Sequence, residues 1–312
     1  MSDLNVPWPS TSYTSPPSPQ QLTTLYNVIA TLYVLGYTSL AINFTLPEGT
    51  KIPFGSGLAA INPIPISSLR EKFAHFANLR LFSRITLVVS DPAQCQGLAK
   101  LQNVFDIIAI QPTTERALQL AATNLDIDLI SVNLSNRLPF FLKHKTVGSA
   151  IDKGIQFELC YASVVAGTAG YLVSNANDNM SLSTTALLAR KVFFSNVMQL
   201  IRASRSNGLV VSSGATQPLQ VRNGTDILNL LKTVGLDHSR AKACLSDNPQ
   251  KVLVSGRLRI KSYKQTIVMG TEPRDVLLDN AQEDPAKKVE SSGYRKRLGD
   301  TSSGRLLKKL KR

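Results

Sequence analysis

The chain of 312 residues and 34.0 kDa is 43% hydrophobic and 18% charged, a composition that folds around a core and excludes wholesale disorder. Lysine and arginine number 35 against 21 acidic residues, and the net charge of +14 points to a polyanionic partner, because cations gain free energy by releasing counterions from phosphates. No apolar run reaches the ~20 residues of a membrane helix, Met1–Ser10 has no signal-peptide pattern, and three dispersed cysteines (Cys95, Cys160, Cys244) fit a reducing compartment and exclude a disulfide scaffold.

Along the chain, short apolar runs alternate with longer amphipathic stretches, the pattern of repeated β-α units. Strands are expected at Asp3–Val6, Ser39–Phe44, Ser83–Val89, Phe105–Ile110, Ile127–Val132, Ile155–Cys160 and Leu209–Ser212. Helices are expected at Gln20–Leu35, Ser67–Asn78, Pro92–Gln102, Thr114–Ala122, Lys143–Lys153, Thr184–Arg205, Pro218–Val234, Asp237–Leu245 and onward from Pro249. Strict alternation of this kind suits a TIM-like (β/α) barrel better than an open sheet. Pro/Gly-rich insertions at Pro47–Pro65 and Gly167–Ser183 read as surface loops. The expected organisation is a barrel over 1–270 and a disordered basic tail over 271–312.

Barrels place chemistry at the C-terminal ends of their strands. Those positions carry Asn5, Asn43, Ser90, Asp91, Gln111, Asn133, Tyr161 and Ser212–Gly214, a mouth poor in titratable groups. A metal-dependent phosphoesterase, the alternative reading, needs converging His, Asp or Glu ligands to hold an ion and activate water. His75, His144 and His238 all fall in helical segments, with no H-x-H pair. Asp126 and Asp128 flank a strand start and are expected to pair with nearby Arg or Lys; Glu158, alternating within its strand, is expected to make structural hydrogen bonds. No G-x-S-x-G elbow or phosphate-cradling loop occurs. No catalytic residue, metal site or cofactor is therefore expected.

The cations are more informative. Lys143, His144 and Lys145 crowd a predicted helix start, where the macrodipole disfavours cations and attracts anions, an arrangement that a bound phosphate would compensate. Arg202 and Arg205 end a long predicted helix. Arg257, Arg259, Lys261 and Lys264 fall in a stretch, Lys251 to Lys264, without an acidic residue. No recognition helix, zinc finger or aromatic RNP signature accompanies them, so contact is expected with backbone and shape, as in a folded RNA. Residues 291–312 hold eight basic residues against Asp300 alone. Arg295-Lys296-Arg297 and Lys308-Lys309-Leu310-Lys311-Arg312 there read as nuclear-localisation clusters.

Several segments together resemble a known family. They are Asp3-Leu4-Asn5-Val6-Pro7-Trp8-Pro9, Leu35-Gly36-Tyr37, Ala41-Ile42-Asn43-Phe44, Ser83-Arg84-Ile85-Thr86-Leu87, Thr123–Leu129 and Arg137-Leu138-Pro139-Phe140-Phe141-Leu142-Lys143-His144-Lys145. Ile201–Ser206, Ser212–Ala215, Gly256-Arg257-Leu258-Arg259 and Lys261-Ser262 complete the set. Over about residues 1–270 the chain resembles the barrel-shaped subunit shared by eukaryotic ribonuclease P and ribonuclease MRP, in its fungal form. The resemblance implies a PHP-like (polymerase-and-histidinol-phosphatase) barrel of about seven strands and ten helices, with Asp3-Leu4-Asn5 standing where metal-dependent relatives carry H-x-H. It implies a non-catalytic, RNA-binding subunit that stabilises the catalytic RNA for 5′-leader removal from precursor tRNA and for precursor rRNA processing. The implied partners are that RNA, precursor tRNA, a small RRM-like subunit in a two-plus-two assembly, and other protein subunits, in the nucleus and nucleolus. Carried onto this chain, the RNA-facing candidates are Arg84, Arg137, Lys143, His144, Lys145, Arg202, Arg205, Arg257, Arg259, Lys261 and Lys264.

Overall fold

A computed structural model describes residues 1–261 apart from 14, 51–60, 92–94, 96 and 166–181, with the backbone alone for 182–186 and 261. The described residues belong to the first of two units, Met1–Val268; the second unit, Met269–Arg312, lies outside them. The tail clusters, Lys264, the Lys261 side chain and most of both expected surface loops therefore fall outside the described residues.

Seven strands, β1 (Ser2–Pro7), β2 (Ser39–Leu46), β3 (Arg80–Val89), β4 (Ile107–Pro112), β5 (Leu129–Ser131), β6 (Gln156–Cys160) and β7 (Leu209–Ser212), pair in parallel in sequence order. Helices connect and flank them: α1 (Pro19–Val34), α2 (Ile66–Lys72), α3 (Leu98–Leu101), α4 (Glu115–Thr123), α5 (His144–Asp152), α6 (Ala162–Val165), α7 (Leu182–Ser204), α8 (Gly224–Thr233), α9 (His238–Leu245) and α10 (Asp247–Lys261). The last strand meets the first through the Gly214 N–H, which donates to Asn5 O (2.9 Å), and the Ser213 N–H, which donates to Asp3 Oδ1 (3.0 Å). The sheet is a nearly closed, TIM-like barrel.

Local chemistry sets the element boundaries. Ser18 and Gln21 form a reciprocal capping box that spans Pro19 at the first turn, and Leu25, Val28, Ile29 and Leu32 then repeat at helical spacing to bury one face of α1. Thr114 caps α4 through the Ala117 N–H (3.2 Å), and Asp237 caps α9 through the Ser239 N–H (3.2 Å). The single helix expected over Pro218–Val234 is instead a 3₁₀ turn (Pro218–Gln220) followed by α8. Val221 and Asn223 are extended there, and Gln220 Oε1 accepts from Thr216 N (2.8 Å), which fixes the turn as a separate unit. The helix expected to reach Asn78 stops at Lys72, where Phe73 turns into the core and Asn78 takes a left-handed φ of 64°.

Outward-facing strand residues such as Ile42, Phe44, Ile85 and Ile130 pack under the helices in one hydrophobic cluster. The barrel interior carries a polar layer, with Asp3, Asn5, Asn43, Arg84, Thr86, Ser131, Glu158 and Ser212 all buried. Helix α10 packs against β1, β4 and β7 and carries Asn248, whose Nδ2 donates to Leu209 O (2.7 Å). Gly256 is required there, since a Cβ would stand 2.0 Å from the Asp106 carbonyl oxygen.

Candidate nucleic-acid interface

The interior network begins at an irregularity in β1 between Asp3 and Val6. There the Leu4 carbonyl accepts from Arg84 Nη1 (2.7 Å) and the Asn5 N–H donates to Asp3 Oδ1 (3.1 Å). Arg84 also makes a two-pronged ion pair with Glu158 (2.5 and 2.6 Å), both side chains being 0% exposed. Burial alone would raise the Glu158 carboxyl, but the facing guanidinium holds it below its ordinary value; Glu158 in turn holds Arg84 above its own. From Glu158 a chain of donors runs outward: Asn5 Nδ2 to Glu158 Oε2 (3.3 Å), Asn43 Nδ2 to Asn5 Oδ1 (2.8 Å), and Thr86 Oγ1 to Asn43 Oδ1 (2.8 Å). Burial, together with Glu158, pushes the Cys160 thiol well above its ordinary range.

This donor set does not fit a metal centre. The cation facing Glu158 is a guanidinium, and the side chains above it are amides, hydroxyls and an un-ionised thiol. Among the described residues, no group of three or more His, Cys, Asp or Glu could hold an ion.

Burial corrects three of the RNA-facing assignments. Arg84 sits inside the barrel and cannot meet RNA at the surface. Arg257, 4% exposed, lies 3.5 Å from Asp106, and Arg259 Nη1 donates to both Asp128 oxygens (2.7 and 2.8 Å). The acid-free stretch of sequence finds its counter-charges in residues that immediately precede β4 and β5. Asp128 is the structural partner expected from its place near a strand start, while Asp126 accepts from Gln102 Nε2 (3.2 Å).

Other candidates converge. His144 Nδ1 bonds to Ala203 O (2.7 Å), which seats the start of α5 against the end of α7. Lys143, His144, Lys145, Arg202 and Arg205 are all exposed at this corner. Arg205 and Ser206 both adopt left-handed φ (53° and 60°), and Arg240 of α9 donates to the Arg205 carbonyl (2.5 Å). Arg240, also exposed, is a cation that sequence reasoning missed, since nothing in its spacing shows that α9 reaches the end of α7. The Lys143 charge finds its anion in Glu115 of α4 at 2.5 Å. Arg137 is exposed in the β5–α5 connection, held beside α7 by Asn196 Nδ2, which donates to Leu134 O and Asn136 O (2.9 Å each).

The RNase P subunit p30 family model matches residues 1–261. The chain belongs to the RNase P subunit p30 family. It is 41% identical over 268 residues to the ribonuclease P/MRP protein subunit RPP1 of Saccharomyces cerevisiae, covering 86% of this chain and 84% of that protein. It is 28% identical to the ribonuclease P protein subunit p30 of Mus musculus, covering 87% and 95% respectively. Among solved structures, a chain of an archaeal ribonuclease P determined with mature tRNA shares the fold, with a TM-score of 0.54 at 16% identity over 87% of this chain and 97% of that one. A Xaa-Pro dipeptidase shares the barrel at a TM-score of 0.52 and 11% identity, covering 83% and 75%. The p30 match takes in the interior network, the α10 clasp and the basic corner. Lys264 and the tail clusters lie beyond it.

Proposed function

We propose that this p30-family chain is a non-catalytic, RNA-binding protein subunit of ribonuclease P and ribonuclease MRP. It stabilises the catalytic RNA during 5′-leader removal from precursor tRNA and during precursor rRNA processing. The observation that carries the reading is the corner at which three helices gather Lys145, Arg202, Arg205 and Arg240 around the His144–Ala203 bond. Such a cluster is suited to phosphates, and the family supplies the polyanion. Arg137 and Lys143 extend the same RNA-facing surface. A small RRM-like subunit in a two-plus-two assembly and other subunits of the particle are the protein partners of this reading. The tail clusters Arg295–Arg297 and Lys308–Arg312 direct the chain to the nucleus and nucleolus. Removing 291–312 should leave assembly with RNA intact while shifting the free chain to the cytoplasm.

The test is affinity purification of the tagged chain with sequencing of the RNA that accompanies it. Strong enrichment of one or two structured RNAs together with precursor tRNA is expected. Recovery of no RNA above an untagged control, or phosphodiester cleavage by the RNA-free chain that a chelator abolishes, would overturn the reading.

A further inference from the structure

The mouth of the barrel holds a cavity of about 230 Å³ at the strand ends, where barrels of this type place their ligands. No carboxylate, ammonium, guanidinium or imidazole lines it among the described residues. The cation and anion beneath it, Arg84 and Glu158, are already paired with each other. The described lining therefore offers no charge to a phosphate or to a metal ion. What it offers is hydrogen bonding of both senses on neutral groups, with Pro7, Val132 and Leu134 as apolar walls.

The orientation of the inner groups is fixed. Because Glu158 is an acceptor only, Asn5 must turn its Nδ2 toward it, which leaves Asn5 Oδ1 to accept from Asn43 and Asn43 Oδ1 to accept from Thr86. The outer amides remain open. Gln111 makes no side-chain hydrogen bond among the described residues, and Asn133 uses only Oδ1, which accepts from the Ser135 N–H (3.3 Å). Two amides with spare donors and acceptors match the edge of a neutral heterocycle, and the small volume limits the occupant to a single unit. RNA-binding proteins read sequence on unstacked bases in this way.

We propose that this mouth is a pocket for one unstacked nucleobase of RNA, read by the Gln111 and Asn133 amides. The proposal rests on the RNA-subunit reading above and adds a base-contacting site separate from the phosphate-binding corner. The probe is a single-stranded RNA dodecamer carrying one 4-thiouridine, cross-linked by light to the full-length chain and mapped by mass spectrometry. Cross-links to the peptides bearing Gln111, Asn133 or Cys160 are expected. The double substitution Gln111→Ala with Asn133→Ala should lower their yield about tenfold, the discrimination that a good bidentate amide–base pair supplies. Gln111→Glu should lower it as well, by placing a carboxylate against a polyanion, and both variants should keep the parent's melting temperature and salt dependence on duplex RNA. Cross-links confined to the corner, with equal yield in parent and variants, would overturn the pocket while leaving the corner standing. A dodecamer and a duplex that both fail to bind would count against the RNA-subunit reading itself and against the pocket with it.

Discussion

The same side chain does opposite work in two regions of this barrel. Inside it and beneath α10, Arg84, Arg257 and Arg259 are withdrawn from water and face Glu158, Asp106 and Asp128. At the α5–α7–α9 corner, Arg202, Arg205 and Arg240 are exposed, and Arg205 and Arg240 are tied to each other by a backbone carbonyl instead of a carboxylate. Buried guanidiniums hold strand ends together because a lone buried charge is intolerable, so each is matched. Exposed ones contribute little to folding, and they are the ones proposed above to bind RNA. A net charge of +14 thus overstates neither role, but it cannot be assigned to RNA residue by residue.

The contrast between the two regions breaks most visibly at Arg84. Arg84→Met strands the buried Glu158 carboxylate without its partner and should cost about 3–5 kcal/mol. Adding Glu158→Leu should restore a large part of that loss, since a matched apolar pair replaces a matched ionic one. Denaturant unfolding of the two variants checks this, and an unchanged midpoint for Arg84→Met would contradict the buried pair.

Asp3 gives the next effect, and it is pH-dependent. Burial raises its pKa from 3.8 to about 6, so the folded chain holds this proton more tightly than the unfolded one. The stabilisation is complete below about pH 4, is lost as pH rises from about 4 to 6, and above that ionised Asp3 costs the fold about 3 kcal/mol. Asp3→Asn keeps the Oδ1 acceptor for Asn5 and Ser213 and removes the ionisation. Its stability relative to the parent should therefore rise between pH 4 and pH 6 and level off at pH 7. Parallel curves for the two proteins would show that Asp3 does not titrate in this window.

A smaller loss, about 2 kcal/mol, is expected of Arg259→Ala, which frees Asp128 at the base of the barrel. Affinity for RNA should be unchanged in that variant, which separates the clasp from the interface. Much of this base was legible in the sequence, and its use was not. The short apolar runs located all seven strands, and Leu209–Ser212 keeps its expected limits. The run Ile127–Val132 shortens to Leu129–Ser131, the residues whose pairing with β4 and β6 is in register. Arg257 and Arg259 read as an uncompensated basic stretch because their partners, Asp106 and Asp128, lie more than a hundred residues earlier. Only the packing of α10 against the strand starts brings the charges together. Arg84 misleads for a related reason. Parallel strands are buried on both faces, so sequence alternation does not mark the inward side, and Glu158 becomes its partner only once the sheet has curled. The His144–Ala203 contact is likewise a product of tertiary packing, although both basic clusters it joins were visible in the sequence.

The smallest effect tests the edge of the interface. Glu115→Gln should release Lys143 from its exposed ion pair, with a change in stability below about 1 kcal/mol. RNA affinity at low salt should rise modestly, and a fall would mean that Glu115 positions Lys143 for its contact instead of occupying it.

The division of labour, in which exposed cations at the corner bind RNA while the buried ones hold the barrel, meets its most direct test in the salt dependence of RNA binding. The triple variant Lys145→Ala, Arg202→Ala, Arg205→Ala should keep the parent's unfolding midpoint. The slope of its log affinity against log salt on duplex-like RNA should flatten by about 0.9 for each phosphate that is no longer neutralised. A variant that folds like the parent and retains the parent's slope would contradict the assignment of this corner to RNA.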